Sequence, residues 1–233
     1  MRSFINEIGE SVTRLFFPHV CAGCRTDLLP RSTLLCLRCM ADMPRTWFEE
    51  SPHNPVEKKF WGRLPLIAAT AQYYYNRESL MQHLIHQFKY GGDKSLGLQL
   101  GRIMGKELKA SGRFEVDVLV PLPLSEEKER RRGFNQAFVL CQGMADVMRL
   151  PVFERIVTRP LFTETQTRKG RIDRWRNMEG KFCLADTRQL ANKHILLVDD
   201  VVTTGATLEA CGSEILRAQN ARLSLATLCY ASD

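Results

Sequence analysis

The stretch Ile195-Leu-Leu-Val-Asp-Asp-Val-Val-Thr-Thr-Gly-Ala-Thr-Leu208 decides the fold. Four apolar residues in a row predict a strand buried on both faces. Asp199 and Asp200 stand at its carboxyl end, where open α/β sheets bind ligands. Thr203, Thr204, Gly205, Ala206 and Thr207 are small or hydroxylated, and they lead straight into a helical pattern of Leu208, Cys211, Ile215 and Leu216. Backbone N–H groups at such a helix start form an anion nest, which threonine hydroxyls supplement. Gly205 permits the tight turn. Carboxylates beside a phosphate cradle fit a sugar phosphate: the acids accept from ribose hydroxyls while the loop holds the phosphate. A plain strand–turn–helix junction would explain the hydroxyls as caps, but it calls for no pair of acids.

Outward from this segment, strand patterns alternate with helical ones. Residues 66–75, 116–120, 152–157 and 223–230 read as strands. Leu80, Leu84, Ile85 and Phe88 repeat helically up to Gly91–Gly92. Leu96, Leu100, Ile103, Met104 and Leu108 mark a second helix, and Phe138, Cys141, Ala145 and Met148 a third. The alternation predicts an α/β fold with a mostly parallel central sheet flanked by helices.

The amino-terminal part has another texture. Phe4, Ile5, Ile8, Val12, Leu15 and Phe16 have helical spacing, and Pro18 ends the run. Cys21-x2-Cys24 and Cys36-x2-Cys39 follow. Two such knuckles supply four thiolates at the corners of a tetrahedron, which predicts a small structural Zn²⁺ ribbon. A reduced cysteine pair or a redox dithiol are the alternatives. His19 reads as a bystander. Cys141, Cys183, Cys211 and Cys229 sit among apolar residues and read as core. Pro44, Pro52, Pro55 and Pro65 interrupt a segment with little periodicity. The expected organisation is therefore helix plus zinc ribbon over 1–45, a linker over 46–65, and the α/β domain over 66–233.

The chain has 233 residues with 33 Lys and Arg against 26 Asp and Glu, a net charge of +7. Its 44% apolar content supports a core, and no stretch is long enough for a membrane helix. Glu7 and Glu10 interrupt any signal-like core, so the expected location is the cytoplasm, and the eight cysteines are not expected to form disulfides. Lys128, Arg130, Arg131 and Arg132 form one basic cluster; Arg168, Lys169, Arg171, Arg174 and Arg176 form another. With Glu129 and Asp173 included, the two clusters carry the whole excess of +7, which places a polyanion beside them. Phe134 and Trp175 are candidates for stacking a base or for packing. His83 and His86 are three apart on a helix with no third ligand nearby.

The 195–208 segment resembles the loop that binds phosphoribosyl pyrophosphate (PRPP) in type I phosphoribosyltransferases. By that resemblance the PRPP site comprises Asp199, Asp200, Val201, Thr203, Thr204, Gly205, Ala206 and Thr207. The acids would hold the ribose hydroxyls, and the loop the 5′-phosphate. Mg²⁺ would come with the pyrophosphate. Val120-Pro-Leu-Pro-Leu124 with Arg130-Arg-Arg-Gly-Phe-Asn-Gln-Ala137 is similar to a block of the ComF/GntX family. Phe88-Lys-Tyr-Gly-Gly-Asp93 and the series Gln166, Arg174, Asn177, Gly180, Phe182 are similar to two more. A four-cysteine zinc module before a phosphoribosyltransferase domain is that family's layout. The resemblance implies a type I phosphoribosyltransferase fold, pyrophosphate-side and flexible-loop contacts from Arg132, Asn135, Arg171 and Arg174, and a role in natural competence and use of external DNA.

Three functions stay open at this level. One is a phosphoribosyltransferase that releases pyrophosphate from PRPP. Another is a non-catalytic module that senses PRPP or binds single-stranded DNA. The last is a scaffold for a competence helicase or recombination mediator, docked through the zinc module. The acceptor substrate and the catalytic residue are unassigned.

Overall fold

The computed structural model describes residues 19–30, 32–159 and 182–231. The expected helix over 3–16 lies outside them, as do Gln166, Arg168, Lys169, Arg171, Arg174, Trp175 and Arg176 of the second basic segment. The chain divides into two compact units, 1–43 and 44–233.

In the smaller unit the two cysteine knuckles lead into a short helix, α1 (Leu37–Asp42), which Cys36 caps. The larger unit is built on a four-stranded sheet: β1 (Ala69–Tyr74), β2 (Val118–Pro121), β5 (His194–Val202) and β6 (Arg222–Tyr230), in the order β1-β6-β5-β2. All three pairings are parallel, with Leu197 opposite Val120 on one side and Leu225 on the other. Strands buried on both faces must be largely apolar, and Ile195–Val198 meets that demand outright, while Leu223–Leu228 also buries Ser224 and Thr227, both hydrogen-bonded. Because β5 is central, its carboxyl end opens in the middle of the sheet's upper edge. The type I phosphoribosyltransferase architecture expected from the sequence is the one observed.

The helices are α2 (Pro55–Lys59), α3 (Leu80–Tyr90), α4 (Lys94–Ser111), α5 (Glu126–Arg132), α6 (Gln136–Met148) and α7 (Ala206–Ile215). The last of these follows the 203–205 turn directly. A small antiparallel pair, β3 (Val157–Thr158) with β4 (Cys183–Leu184), stands apart from the main sheet.

Three expectations need correction, and one segment gains a structure the sequence did not assign. Residues 46–65 are not a linker: Phe48, Val56, Phe60 and Leu64 are core residues, and Asn54 caps α2 while its amide donates to Phe48 O, Ser51 O and Ala69 O. The prolines start and shape this segment instead of loosening it; Pro55 opens α2. The strand expected over 152–157 shrinks to Val157–Thr158 plus a single bridge from Val152 to Leu119. The 126–132 cluster is a helix, with three acids in its first turn and three arginines in its last, which suits the helix dipole. Cys183 is exposed on β4, whereas Cys141, Cys211 and Cys229 are buried.

Candidate functional site

At the top of β5 the main chain carries Asp199 and Asp200 out of the sheet. The Asp200 N–H donates to Asp199 Oδ1 at 2.8 Å. Lys89, in the last turn of α3, places its Nζ 2.8 Å from Asp200 Oδ2, and Arg132 at the end of α5 lies 3.9 Å from the same oxygen. The three side chains are 17%, 12% and 10% exposed, so a lysine and an arginine converge on one largely buried carboxylate. Burial and the neighbouring Asp200 charge hold the Asp199 carboxyl well above the usual carboxylate range, and Lys89 and Arg132 oppose that rise. Arg132 also donates to Gln136 Oε1 at 2.7 Å, while its buried Nε has no partner among the described residues. A buried donor without a partner calls for one, such as a bound ligand.

The turn that follows is built for close approach. Gly205 has φ +78°, and a Cβ there would lie 2.7 Å from Phe60 Cζ. Thr203, Thr204 and Thr207 are exposed. Arg63, just past α2, reaches across to this turn: its Nη1 donates to Thr204 O at 3.2 Å, and its Nε donates to Glu209 Oε2 at 3.1 Å.

The sequence-derived residues are thus partly gathered. Asp199, Asp200, Val201, Thr203–Thr207 and Arg132 share this end of the sheet. The Asn135 side chain is engaged within the fold. Its Oδ1 caps α6 by accepting from Ala137 N at 2.9 Å, and its Nδ2 donates to Leu122 O at 3.0 Å. Arg130 pairs with Glu126 on the exposed face of α5. Phe134 is buried against Phe88 with ring centroids 5.7 Å apart, so it packs. Two site residues were given no role from the sequence: Lys89, which lies within the Phe88–Asp93 block that resembles the ComF/GntX family, and Arg63, inside the supposed linker.

In the smaller unit, the Sγ atoms of Cys21, Cys24, Cys36 and Cys39 lie within 4.8 Å of one another, and those of Cys24 and Cys36 are 3.6 Å apart. A tetrahedral Zn–S₄ centre has S···S edges of about 3.8 Å, given Zn–S bonds of about 2.3 Å. Burial raises the Cys21 thiol, but N–H groups from Cys36, Cys24 and Gly23 outweigh it and bring it down to about 6. Burial and the other thiols push Cys39 up. Four crowded thiols cannot all ionise without a cation, so the donor set fits a metal ion. His19 Nε2 bonds Thr33 O at 2.8 Å and stays outside the cluster.

A central parallel strand ending in two carboxylates, a glycine turn and a helix start define a phosphoribosyltransferase domain, and residues 138–233 match the family model of that description, the phosphoribosyl transferase domain. Competence protein F of Haemophilus influenzae is 27% identical over 204 residues, covering 85% of this chain and 84% of the relative. DNA utilization protein YhgH of Escherichia coli is 33% identical over 173 residues, covering 72% of each. The chain belongs to the ComF family. Among solved structures, glutamine PRPP amidotransferase from B. subtilis aligns at 14% identity with a TM-score of 0.46, covering 61% of this chain and 30% of that one. Among the described residues, no helix is long and apolar enough to cross a membrane.

Proposed function

We propose that this chain binds Mg²⁺–PRPP at the carboxyl end of β5 and acts in the cytoplasm in the uptake or processing of incoming single-stranded DNA during natural transformation. The observation that carries the reading is the convergence of Lys89 and Arg132 on an acid pair that opens directly into the 203–207 turn. Asp199 and Asp200 accept from the ribose hydroxyls. The N–H groups and hydroxyls of 203–207 take the 5′-phosphate at the α7 start. Arg132 and Lys89, with Arg171 and Arg174 of the second basic cluster, offset the charge of the pyrophosphate. Mg²⁺ bound with the ligand would neutralise charge on the pyrophosphate, and Asp199 and Asp200 are the oxygen groups suited to face it. In transfer, the bond from C1′ to the pyrophosphate oxygen breaks, an acceptor bond forms at C1′, and pyrophosphate leaves. The four-cysteine cluster holds structural Zn²⁺.

The test is calorimetric titration with Mg²⁺–PRPP alongside a pyrophosphate-release assay over bases, nucleosides and single-stranded DNA. Binding is expected in the wild type, and D199N/D200N should weaken it at least about a hundredfold, the scale of two lost charged hydrogen bonds. Absence of binding overturns the reading. The names of the relatives, competence protein and DNA utilization protein, support a second reading in which the domain senses PRPP or binds single-stranded DNA and serves a competence helicase or recombination mediator without transfer. Binding without pyrophosphate release under any acceptor selects that reading, and its DNA complex should weaken steeply with salt.

A further inference from the structure

We propose that Arg63 is a positioning residue that holds the phosphate-binding turn in its donor-out state and cancels the one acid at its rim. The inference rests on the PRPP-site reading above and adds a residue to it from the segment whose sequence looked like a linker.

Three observations converge on Arg63. Its Nη1 donates to Thr204 O at 3.2 Å and to Lys59 O at 3.0 Å. Its Nε and Nη2 both meet the Glu209 carboxylate, in the first turn of α7. Its guanidinium lies over the Phe60 ring, 5.8 Å from the centroid, and the same ring closes against Gly205. One side chain thus ties α2, the turn and the start of α7 together.

The peptide between Thr204 and Gly205 is the weak point of such a turn. Gly205 sits at φ +78°, and glycine also tolerates negative φ, so this peptide can rotate about its long axis at little steric cost. In a trans peptide the C=O and N–H point in opposite directions. With the Thr204 carbonyl fixed on Arg63, the Gly205 N–H faces away from Arg63. No described residue accepts from that N–H. Rotation would exchange the N–H for a carbonyl oxygen and aim a negative dipole at the place a phosphate must occupy. Arg63 holds the oxygen on the other side.

The second role is charge. Glu209 is the only acid in the first turn of α7. There it suits the helix dipole, but it would repel an anion bound at the same end. Two guanidinium N–H groups on its Oε2 offset it, and the planar guanidinium does so while keeping a donor for the carbonyl.

The experiment uses the full chain with Mg²⁺–PRPP and with ribose 5-phosphate as a probe of the phosphate subsite. Arg63→Ala should weaken both about tenfold, the scale of one charged hydrogen bond. Glu209→Gln should bind at least as tightly as wild type. Arg63→Ala combined with Glu209→Gln should recover the charge component only, and Arg63→Lys should do likewise because it lacks the fork. A lost structural contact without positioning would not produce that rescue pattern. The Gly205 amide resonance supplies a ligand-free readout: in Arg63→Ala it should broaden or divide between two peptide orientations, and in wild type it should remain single. Unchanged affinity for both ligands with an unchanged Gly205 resonance overturns the proposal. If the wild type binds neither ligand, the PRPP reading fails, and the Gly205 resonance alone decides: no change on Arg63→Ala sinks the positioning role as well.

Discussion

Lys89 Nζ and Asp200 Oδ2 form an ion pair at 2.8 Å that is largely shielded from solvent. It joins the end of α3 to the end of β5, two elements that share no other described ion pair. Removing one partner of such a pair leaves an uncompensated charge, which is costly in a buried setting. Here the orphan would be Asp200, beside an acid whose pKa burial and the Asp200 charge already raise. Lys89→Met should therefore weaken Mg²⁺–PRPP at least about tenfold, with the smaller loss in Lys89→Arg. The pH dependence has a definite sign. The native pKa of Asp199 lies above its unfolded value of about 3.9, so its contribution to stability is complete below that value. That contribution is lost as pH rises through the elevated native pKa. Lys89→Met should enlarge this loss and move it to higher pH, read as Tm against pH; a Tm profile parallel to wild type would count against the coupling.

Gly101 and Leu140 meet where α4 packs on α6. A Cβ at Gly101 would stand 2.3 Å from Leu140 O, and one at Gly143 would stand 2.3 Å from Leu98 O. Neither clash is with a movable side chain; both are with backbone. Gly101→Ala should destabilise by about 3 kcal/mol or more through forced separation of α4 and α6, despite the better helix propensity of alanine. Urea midpoints of Gly101→Ala and Gly105→Ala should differ, because the Gly105 Cβ contact is a looser 3.0 Å.

How much of this was legible in the sequence depends on whether a signal was local. The 195–208 segment declares strand, acid pair and helix start in one run, and the cysteine knuckles declare their cluster by spacing. The packing of α4 on α6 is also written locally, as glycines at 97, 101 and 105, one turn apart, although the leucines of that helix hide them. The roles of Lys89 and Arg63 were not legible, although Lys89 lies in the quoted Phe88–Asp93 block, because each acts on a residue more than a hundred positions away and only the fold gives them partners. The prolines of 44–65 misled for a similar reason. They disfavour regular periodicity, and the sequence does not reveal that Phe48, Val56 and Phe60 nevertheless reach the core. Basic clustering misled differently: along α5 the charges count as a patch, but the helix turns Arg130 to Glu126 and leaves Arg132 as the inward one.

The cysteine cluster makes a separate stability claim. Because the four thiols need a cation to ionise together, metal binding and folding of the 19–43 segment are linked. One Zn²⁺ per chain is expected by native mass spectrometry. Chelation, or Cys36→Ser, should release it and open this segment to proteolysis, while the β5–α7 site keeps its affinity for Mg²⁺–PRPP. A chain that carries no zinc and resists protease equally before and after chelation would remove the claim.

His194 starts β5 at the opposite end from the acid pair, and both of its ring nitrogens are hydrogen-bonded. Nδ1–H donates to Glu115 O at 2.7 Å, and Nε2 accepts from the Ser224 hydroxyl at 2.9 Å. Burial, with the Arg222 charge adding to it, lowers the native pKa below the ordinary value. The unfolded chain takes up a proton as pH falls below about 6.5, and the native ring does not. The stability this ring contributes is thus whole above that pH and declines as pH falls toward the native pKa. The acid limb of stability should begin there, before the carboxylates titrate. His194→Gln is expected to lower stability at neutral pH, since a buried acceptor loses its fit, yet to flatten this first part of the acid limb. Urea midpoints measured across the range decide it, because a His194→Gln profile as steep as wild type would assign the acid sensitivity to other groups.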